Sequence, residues 1–163
     1  MTTTHEEFVE QLKNTILAQP FPPRYNPRKW KKKRFNCYAY VMQACMNLSG
    51  YDIWPGFISK GDKNDYTDTK ECVVTSFKED FEVLGLNVFP TTLKEKIEKN
   101  AYKIVVYVNE GEDFHFARQD KDGQWSEKDG WTGRIRKVSE ENIDEFEEGY
   151  EFVGVFKISK KAE

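Results

Sequence analysis

Histidine and cysteine are both scarce in this 163-residue sequence, and that scarcity narrows its chemistry more than any motif does. There are three cysteines, Cys37, Cys45 and Cys72, and no Cys-x-x-Cys spacing, so neither a zinc site nor a disulfide framework is indicated. An odd count also leaves one thiol unpaired. There are two histidines, His5 and His115, so a cysteine nucleophile that needs an imidazole base has almost no choice. No glycine loop of the kind that cradles phosphate and no cluster with metal-ligand spacing is present, so no metal and no other cofactor is expected. No apolar run approaches membrane-spanning length, which speaks against a membrane partner. The opening Met1-Thr2-Thr3-Thr4-His5-Glu6-Glu7 lacks the basic and apolar regions of a signal peptide, so the cytoplasm is the expected compartment, with non-classical export leaving no trace in sequence. A formal net charge of −3 opposes nucleic-acid binding by the whole surface.

What is present suits one folded domain over residues 1–163: 38% hydrophobic and 15% aromatic residues can build a core under a heavily charged surface. Residues 1–34 are expected to form an N-terminal helix and a basic linker ahead of a core over 35–158. Thr4-His5-Glu6-Glu7 has the pattern of a capping box, and Phe8, Val9, Leu12, Ile16 and Leu17 follow at helical spacing, which predicts a helix from about Thr4 to Ala18. Pro20-Phe21-Pro22-Pro23 ends it and opens an extended linker that includes Pro27. The run Arg28-Lys29-Trp30-Lys31-Lys32-Lys33-Arg34 is read as a solvated basic face beside a cleft, or as a docking patch for an acidic partner, with Trp30 adding to the second reading. A central helix is expected over Cys37 to Leu48, stopped by Ser49-Gly50, with Cys45 on its apolar stripe. Tyr51 to Asp68 is loop-rich, with a rigid turn at Trp54-Pro55-Gly56. Ser76-Phe77-Lys78-Glu79 is read as a second capping box, opening a helix with Phe77, Phe81 and Leu84 as its buried stripe and Gly85 as its end, and Thr92-Leu93-Lys94-Glu95 as a third, opening a short helix with Leu93 and Ile97 facing inward. The period then changes. Strands are expected at Ile104–Val108, Asp113–Gln119, Gln124–Lys128, Arg134–Val138 and Tyr150–Ile158, with a short acidic helix capped by Ser139. Phe152, Gly154, Phe156 and Ile158 alternate against Val153 and Val155 in the last strand, which is expected to be buried on both faces. Helices first and a mostly antiparallel sheet after them make an α+β fold.

The stretch Phe35-Asn36-Cys37-Tyr38-Ala39-Tyr40 carries the chemistry. Asn36 is suited to cap a helix, which places Cys37 at its first position, where the partial positive charge of the helix N-terminus favours a thiolate. Backbone N–H groups there, at Asn36 and Cys37, are the expected oxyanion region. His5 lies in the first turn of the terminal helix and is expected to be solvated. His115 lies in Asp113-Phe114-His115-Phe116-Ala117, where strand alternation puts it on one face with the small Ala117 and away from Phe114 and Phe116. Asp120-Lys121-Asp122-Gly123 suits a type I turn followed by a left-handed glycine. That register pairs Asp120 with Gln124 and Ala117 with Glu127, so Glu127 shares a face with His115, diagonally across the ladder. A loop one residue longer would instead present Gln124 and Ser126, so Gln124 is the fallback for the third residue.

These residues carry a resemblance. Asn36-Cys37-Tyr38-Ala39-Tyr40, Asp113-Phe114-His115-Phe116 with Arg118-Gln119-Asp120, Gly123-Gln124-Trp125-Ser126 and Phe152-Val153-Gly154-Val155-Phe156 resemble, in order, a papain-fold cysteine hydrolase of the NlpC-like and CHAP-like group. The resemblance implies a nucleophile-bearing helix packed on an antiparallel sheet, with Cys37 as nucleophile, His115 as general base and acid, and a peptidase or amidase acting on an amide bond of a peptide or protein. Cell-wall peptides are frequent substrates of the group, and acyltransferases are among its relatives. Trp54, Tyr38 and Trp125 are the residues expected along the substrate cleft. The departure is at the third position, where the group often has histidine, asparagine or glutamine and this chain has Glu127; a carboxylate there can orient an imidazole and stabilise its cation. The rival expectations are a catalytically silent binding module that uses the basic run and the Tyr51–Asp68 loop to hold a protein partner, and nucleic-acid binding through Arg28 to Arg34.

Overall fold

A computed structural model describes residues 3–31, 35–48, 53–61, 65–129 and 134–162. The first helix, α1 (His5–Leu17), starts where its cap dictates: the Thr4 hydroxyl oxygen accepts a hydrogen bond from the Glu7 N–H at 3.1 Å and donates to Glu7 Oε1 at 3.0 Å. Its buried stripe, Phe8, Leu12 and Ile16, joins the main core, so this helix is packed against the domain. Two short helices follow. Pro27 does not extend the linker but opens the helical turn α2 (Pro27–Trp30), where its missing N–H is no loss. Trp30 is buried against Phe35 and Tyr40, so the indole is core and offers nothing to a docking surface. Lys32 to Arg34 lie outside the described residues.

The helix that carries Cys37, α3 (Cys37–Val41), is much shorter than the expected Cys37–Leu48. It stops because Gln43 adopts a left-handed φ of +64°, letting the Ala44 N–H turn back to the Ala39 carbonyl at 3.0 Å. The Gln43 side chain is buried and donates to the Pro20 carbonyl at 2.9 Å, a long-range anchor that the local sequence does not announce. Cys45 therefore follows the helix and is half-buried, and the expected stop at Ser49-Gly50 falls outside the described residues. After the turn at Trp54-Pro55-Gly56 comes α4 (Phe57–Lys60), unforeseen in the loop-rich reading.

The long helix α5 (Lys70–Val83) begins six residues before the expected box, capped by Thr69, whose hydroxyl oxygen accepts from the Cys72 N–H at 3.1 Å. Ser76 is a buried mid-helix residue. Phe77, Phe81 and Leu84 form the buried stripe, and Gly85, at φ +83°, ends the helix as expected.

Six antiparallel strands form one sheet, in the order β1 (Leu86–Thr91), β6 (Glu151–Lys160), β2 (Ala101–Asn109), β3 (Asp113–Gln119), β4 (Trp125–Lys128), β5 (Ile135–Val138). The fold is α+β. Strand β1 tolerates Pro90 because it is an edge strand. No helix follows it at Thr92. The Thr92 hydroxyl does accept from the Glu95 N–H, but the half-buried ammonium of Lys103 takes the carbonyls of Thr92 at 2.7 Å and Leu93 at 3.1 Å, the acceptors a helix there would need. Beyond β5 there is a single 3-10 turn, Glu140–Asn142, and Ser139 makes no side-chain capping bond to it.

Alternation along β2 splits the core. Ile104, Val106 and Val108 face the helices, while Val105 and Tyr107 face a second cluster with Ala117, Trp125, Ile143 and Val155. Strand β6 contributes Phe156 and Ile158 to the first and Val155 to the second. Its simple alternation breaks at a bulge: Val106 faces Gly154 but Tyr107 faces Phe152. Phe152 is thereby shifted off the Phe156 face and onto the second cluster. The segment after β5 covers this face, where Ile143 is buried and the Tyr107 hydroxyl donates to its carbonyl. Among the described residues, no helix is long and apolar enough to cross a membrane.

Candidate active site

Asn36 fastens the start of α3 twice. Its side-chain oxygen accepts from the Ala39 N–H at 2.9 Å and its amide donates to the Ile53 carbonyl at 2.7 Å. Tyr38 to Val41 are fully buried. The Tyr38 hydroxyl donates to Asp80 Oδ2 at 2.7 Å, and that buried carboxylate also accepts from the Gly56 and Ser59 N–H groups, each at 2.8 Å. Burial raises the Asp80 pKa, opposed by these three bonds. Two residues on, the Tyr40 hydroxyl bonds the Ser126 hydroxyl at 2.7 Å, and Ser126 donates to Asp120, which also holds the buried guanidinium of Arg118. The Cys37 sulfur is thus positioned by side chains from α5 and from the β3–β4 hairpin. A five-residue helix carries less dipole than the twelve-residue one expected, so capping and packing do most of the placing.

The hairpin has the expected register. The Asp120 N–H donates to the Gln124 carbonyl at 2.8 Å, Gly123 sits at φ +82°, and Ala117 pairs with Glu127. His115 Nε2 lies 3.0 Å from Glu127 Oε1, with both side chains only 3% exposed. Gln124 is exposed and accepts from Lys137, away from the ring. Because Nε2 is engaged by Glu127, Nδ1 is the nitrogen left for another partner. The ladder to β4 begins only at Ala117, so the Asp113–Phe116 stretch of β3 is open on that side. Cys37, from the helix-covered face, and His115 meet there and line one cavity of about 320 Å³. Burial pulls the His115 pKa down, but hydrogen bonding and charge from Cys37 and Glu127 outweigh it and push it up to about 9. Burial raises Glu127, and its bonds to His115 and Arg136 overcome that and hold it below the usual carboxylate value.

The remaining lining was only partly legible in sequence. Trp54 lines the cavity as expected. Tyr38 and Trp125 do not: both are fully buried, Tyr38 in the helix-side core and Trp125 in the second cluster. His5 is exposed, with Nε2 3.0 Å from the Ile58 carbonyl oxygen, and does not line the cavity. Ile53, Phe114 and Asp129 also line the cavity unforeseen, and four further residues shape the site. Arg136 donates to Glu127 Oε2 from Nε at 2.8 Å and from a terminal nitrogen at 2.7 Å, so each carboxylate oxygen serves one cation. Phe146 stacks on the His115 ring at 3.9 Å and 5°. Asp113 and Tyr150 bond each other at 2.8 Å at the rim. Strand pairing opposite Glu127 was the signal for Arg136, but Asp129-Gly130 and Gly133 offer competing turns between β4 and β5 and leave the register open from sequence. Phe146 lies beyond the 3-10 turn that stands where the short acidic helix was expected. Among the described residues no group of three histidine, cysteine or carboxylate side chains stands together as a metal site.

Fold and site together define an α+β protein in which a capped cysteine and a histidine line one cavity and a buried glutamate bonds the far side of the imidazole. Residues 28–160 match the model of a domain of unknown function, DUF7689, and the chain belongs to that family. No curated protein and no solved structure matches it.

Proposed function

We propose that this protein is a cysteine hydrolase with a papain-like arrangement, cleaving an amide bond through an acyl-enzyme on Cys37. The observation that carries the reading is the shared cavity of Cys37 and His115, with Glu127 holding the far ring nitrogen. A histidine pushed up to about 9 carries its proton at neutral pH, which suits a sulfur attacking as the thiolate. The sulfur adds to the substrate carbonyl carbon, and N–H groups at the start of α3 face the developing oxyanion. As the C–N bond breaks, His115 gives its proton to the departing amine, leaving a thioester. Neutral His115 then takes a proton from water, hydroxide adds to the thioester carbon, and the carboxylic acid leaves as Cys37 is regenerated. Glu127 orients the imidazole and stabilises its cation, and Arg136 keeps that carboxylate ionised.

Alkylation with iodoacetamide tests this. At about pH 6 an ordinary thiol is under about 1% ionised, so Cys37 is expected to react about tenfold or more faster than a model thiol, with Cys45 and Cys72 as internal references. The His115→Ala variant, checked for folding by circular dichroism, is expected to lose that advantage. A Cys37 rate equal to the model thiol's, unchanged in His115→Ala, removes the hydrolase reading.

A further inference from the structure

The cavity is acidic as well as aromatic. Among the described residues its lining includes two carboxylates, Asp113 and Asp129, and no lysine or arginine. Asp113 accepts from the Tyr150 hydroxyl and from the Phe114 N–H, each at 2.8 Å. Both donors are neutral, so they fix the carboxylate without cancelling its charge, and among the described residues it has no ion pair. Among the described residues Asp129 has two cations near it: Arg136 at 3.8 Å, whose shorter bonds of 2.7 and 2.8 Å go to Glu127, and Lys128, whose ammonium feels the Asp129 charge. Lys128 is also close enough to interact with Cys37, but it is buried, with its ammonium 5.3 Å from the centre of the Phe35 ring, and it does not line the cavity. Trp54, Phe146 and Tyr150 add π-systems to the same lining.

We propose that this cavity recognises an ammonium group on the substrate, so that the amide cleaved lies next to a lysine side chain or a free α-amino terminus. The assignment rests on the hydrolase reading of the same cavity. An ammonium set among aromatic rings gains from their quadrupoles, and each carboxylate adds a Coulomb attraction that the partly enclosed site screens less than bulk water does. An anionic side chain at the same place meets two like charges, and the one cation of the described lining, His115, is already paired with Glu127. A preference of about tenfold per carboxylate for cation over neutral isostere follows from charges a few ångströms apart at the dielectric of a protein surface.

The test reads binding, not turnover. Cys37→Ala protein, with Cys37→Ser as a second background should the first unfold, is titrated while the Trp54 indole N–H signal is followed by NMR, assigned through Trp54→Phe. Four ligands are compared: Nα-acetyl-lysine amide, norleucine amide with its α-amine free, Nα-acetyl-norleucine amide and Nα-acetyl-glutamate amide. One or both cations are expected to bind at least about tenfold tighter than the neutral ligand, with the glutamate weakest, and the stronger cation identifies which ammonium the site takes. Asp113→Asn and Asp129→Asn are each expected to raise the Kd of that cation towards the neutral one. Equal binding of the neutral or anionic ligand, indifference to both carboxamide variants, or no Trp54 response at millimolar ligand overturns the proposal. Loss of cation preference with Cys37 still hyper-reactive leaves the hydrolase reading standing; cation preference with an unreactive Cys37 removes only the hydrolase.

Discussion

The histidine and glutamate behind the thiol make stability depend on pH in a way that can be worked from the structure. His115 is raised from an ordinary 6.5 to about 9 in the folded state. Between those values native His115 holds a proton that the unfolded histidine releases, so its own share of the stability, about 3 kcal/mol and fully present below about 6.5, is lost as pH rises through about 9. The Cys37 thiolate of the proposed mechanism works against it, because the unfolded cysteine keeps its proton up to about 8.5. Between about pH 6.5 and 8.5 the folded pair and the unfolded chain therefore hold one proton each, and wild-type stability should change by less than about 1 kcal/mol. Glu127 works in the opposite sense to His115: its folded pKa is lowered, so its share is present above the ordinary carboxylate value and lost as pH falls below it. Stability should therefore be greatest on a plateau between about pH 6.5 and 8.5, as far as these three groups decide it. Urea unfolding at intervals across that range measures the slope, and NMR titration of His115 measures the pKa itself. In Glu127→Gln the carboxylate no longer favours the imidazolium while burial still opposes it, so the His115 pKa should drop. A wild-type stability that falls by about 2 kcal/mol between pH 6.5 and 8.5, the loss expected of His115 beside a neutral thiol, or a His115 pKa unchanged in Glu127→Gln, refutes the electrostatic account.

Asp80 and two glycines give sharper structural tests. Asp80→Ala leaves the Tyr38 hydroxyl and the Gly56 and Ser59 N–H groups without their acceptor, and should cost about 3 kcal/mol in urea unfolding; a loss below about 1 kcal/mol would mean that water replaces the carboxylate. Gly123→Ala should cost only the left-handed backbone penalty of about 1 kcal/mol, because an added Cβ meets nothing within 4 Å. Gly149→Ala should cost more in the same assay, since at φ +92° its Cβ would lie 3.1 Å from Asn109 Nδ2.

Legibility followed the reach of the interactions involved. The β3–β4 hairpin was readable because Asp120-Lys121-Asp122-Gly123 fixes its own turn, and a fixed turn fixes register; Glu127 behind His115 came from that alone. Asn36 as a cap was readable because capping spans three residues. The early end of α3 was not, because Gln43 is held in its left-handed conformation by the Pro20 carbonyl, 23 residues away. Ser76 resembled a cap because the same Ser-x-x-Glu spacing also occurs inside helices, and Thr69, without an acidic partner three residues on, gave a weaker signal for the true start. Leu86 to Thr91 drew no strand assignment; Pro90 interrupts its pattern, and the β6 pairing that makes it a strand comes from a segment about 70 residues later. Tyr38 and Trp125 seemed to belong to the cleft because they adjoin active-site motifs in sequence, yet strand and helix geometry point neighbouring side chains to opposite sides.

The Tyr40–Ser126–Asp120–Arg118 chain of hydrogen bonds has a mechanical meaning. Ser126, Asp120 and Arg118 belong to the hairpin that also carries His115 and Glu127, so the helix bearing Cys37 is tied to the same strand pair that bears His115. When that strand pair twists or breathes against the rest of the sheet, sulfur and imidazole travel as passengers on one body. Their separation is then set by a few short bonds between fully buried groups and is insulated from the slower motions of the surrounding loops.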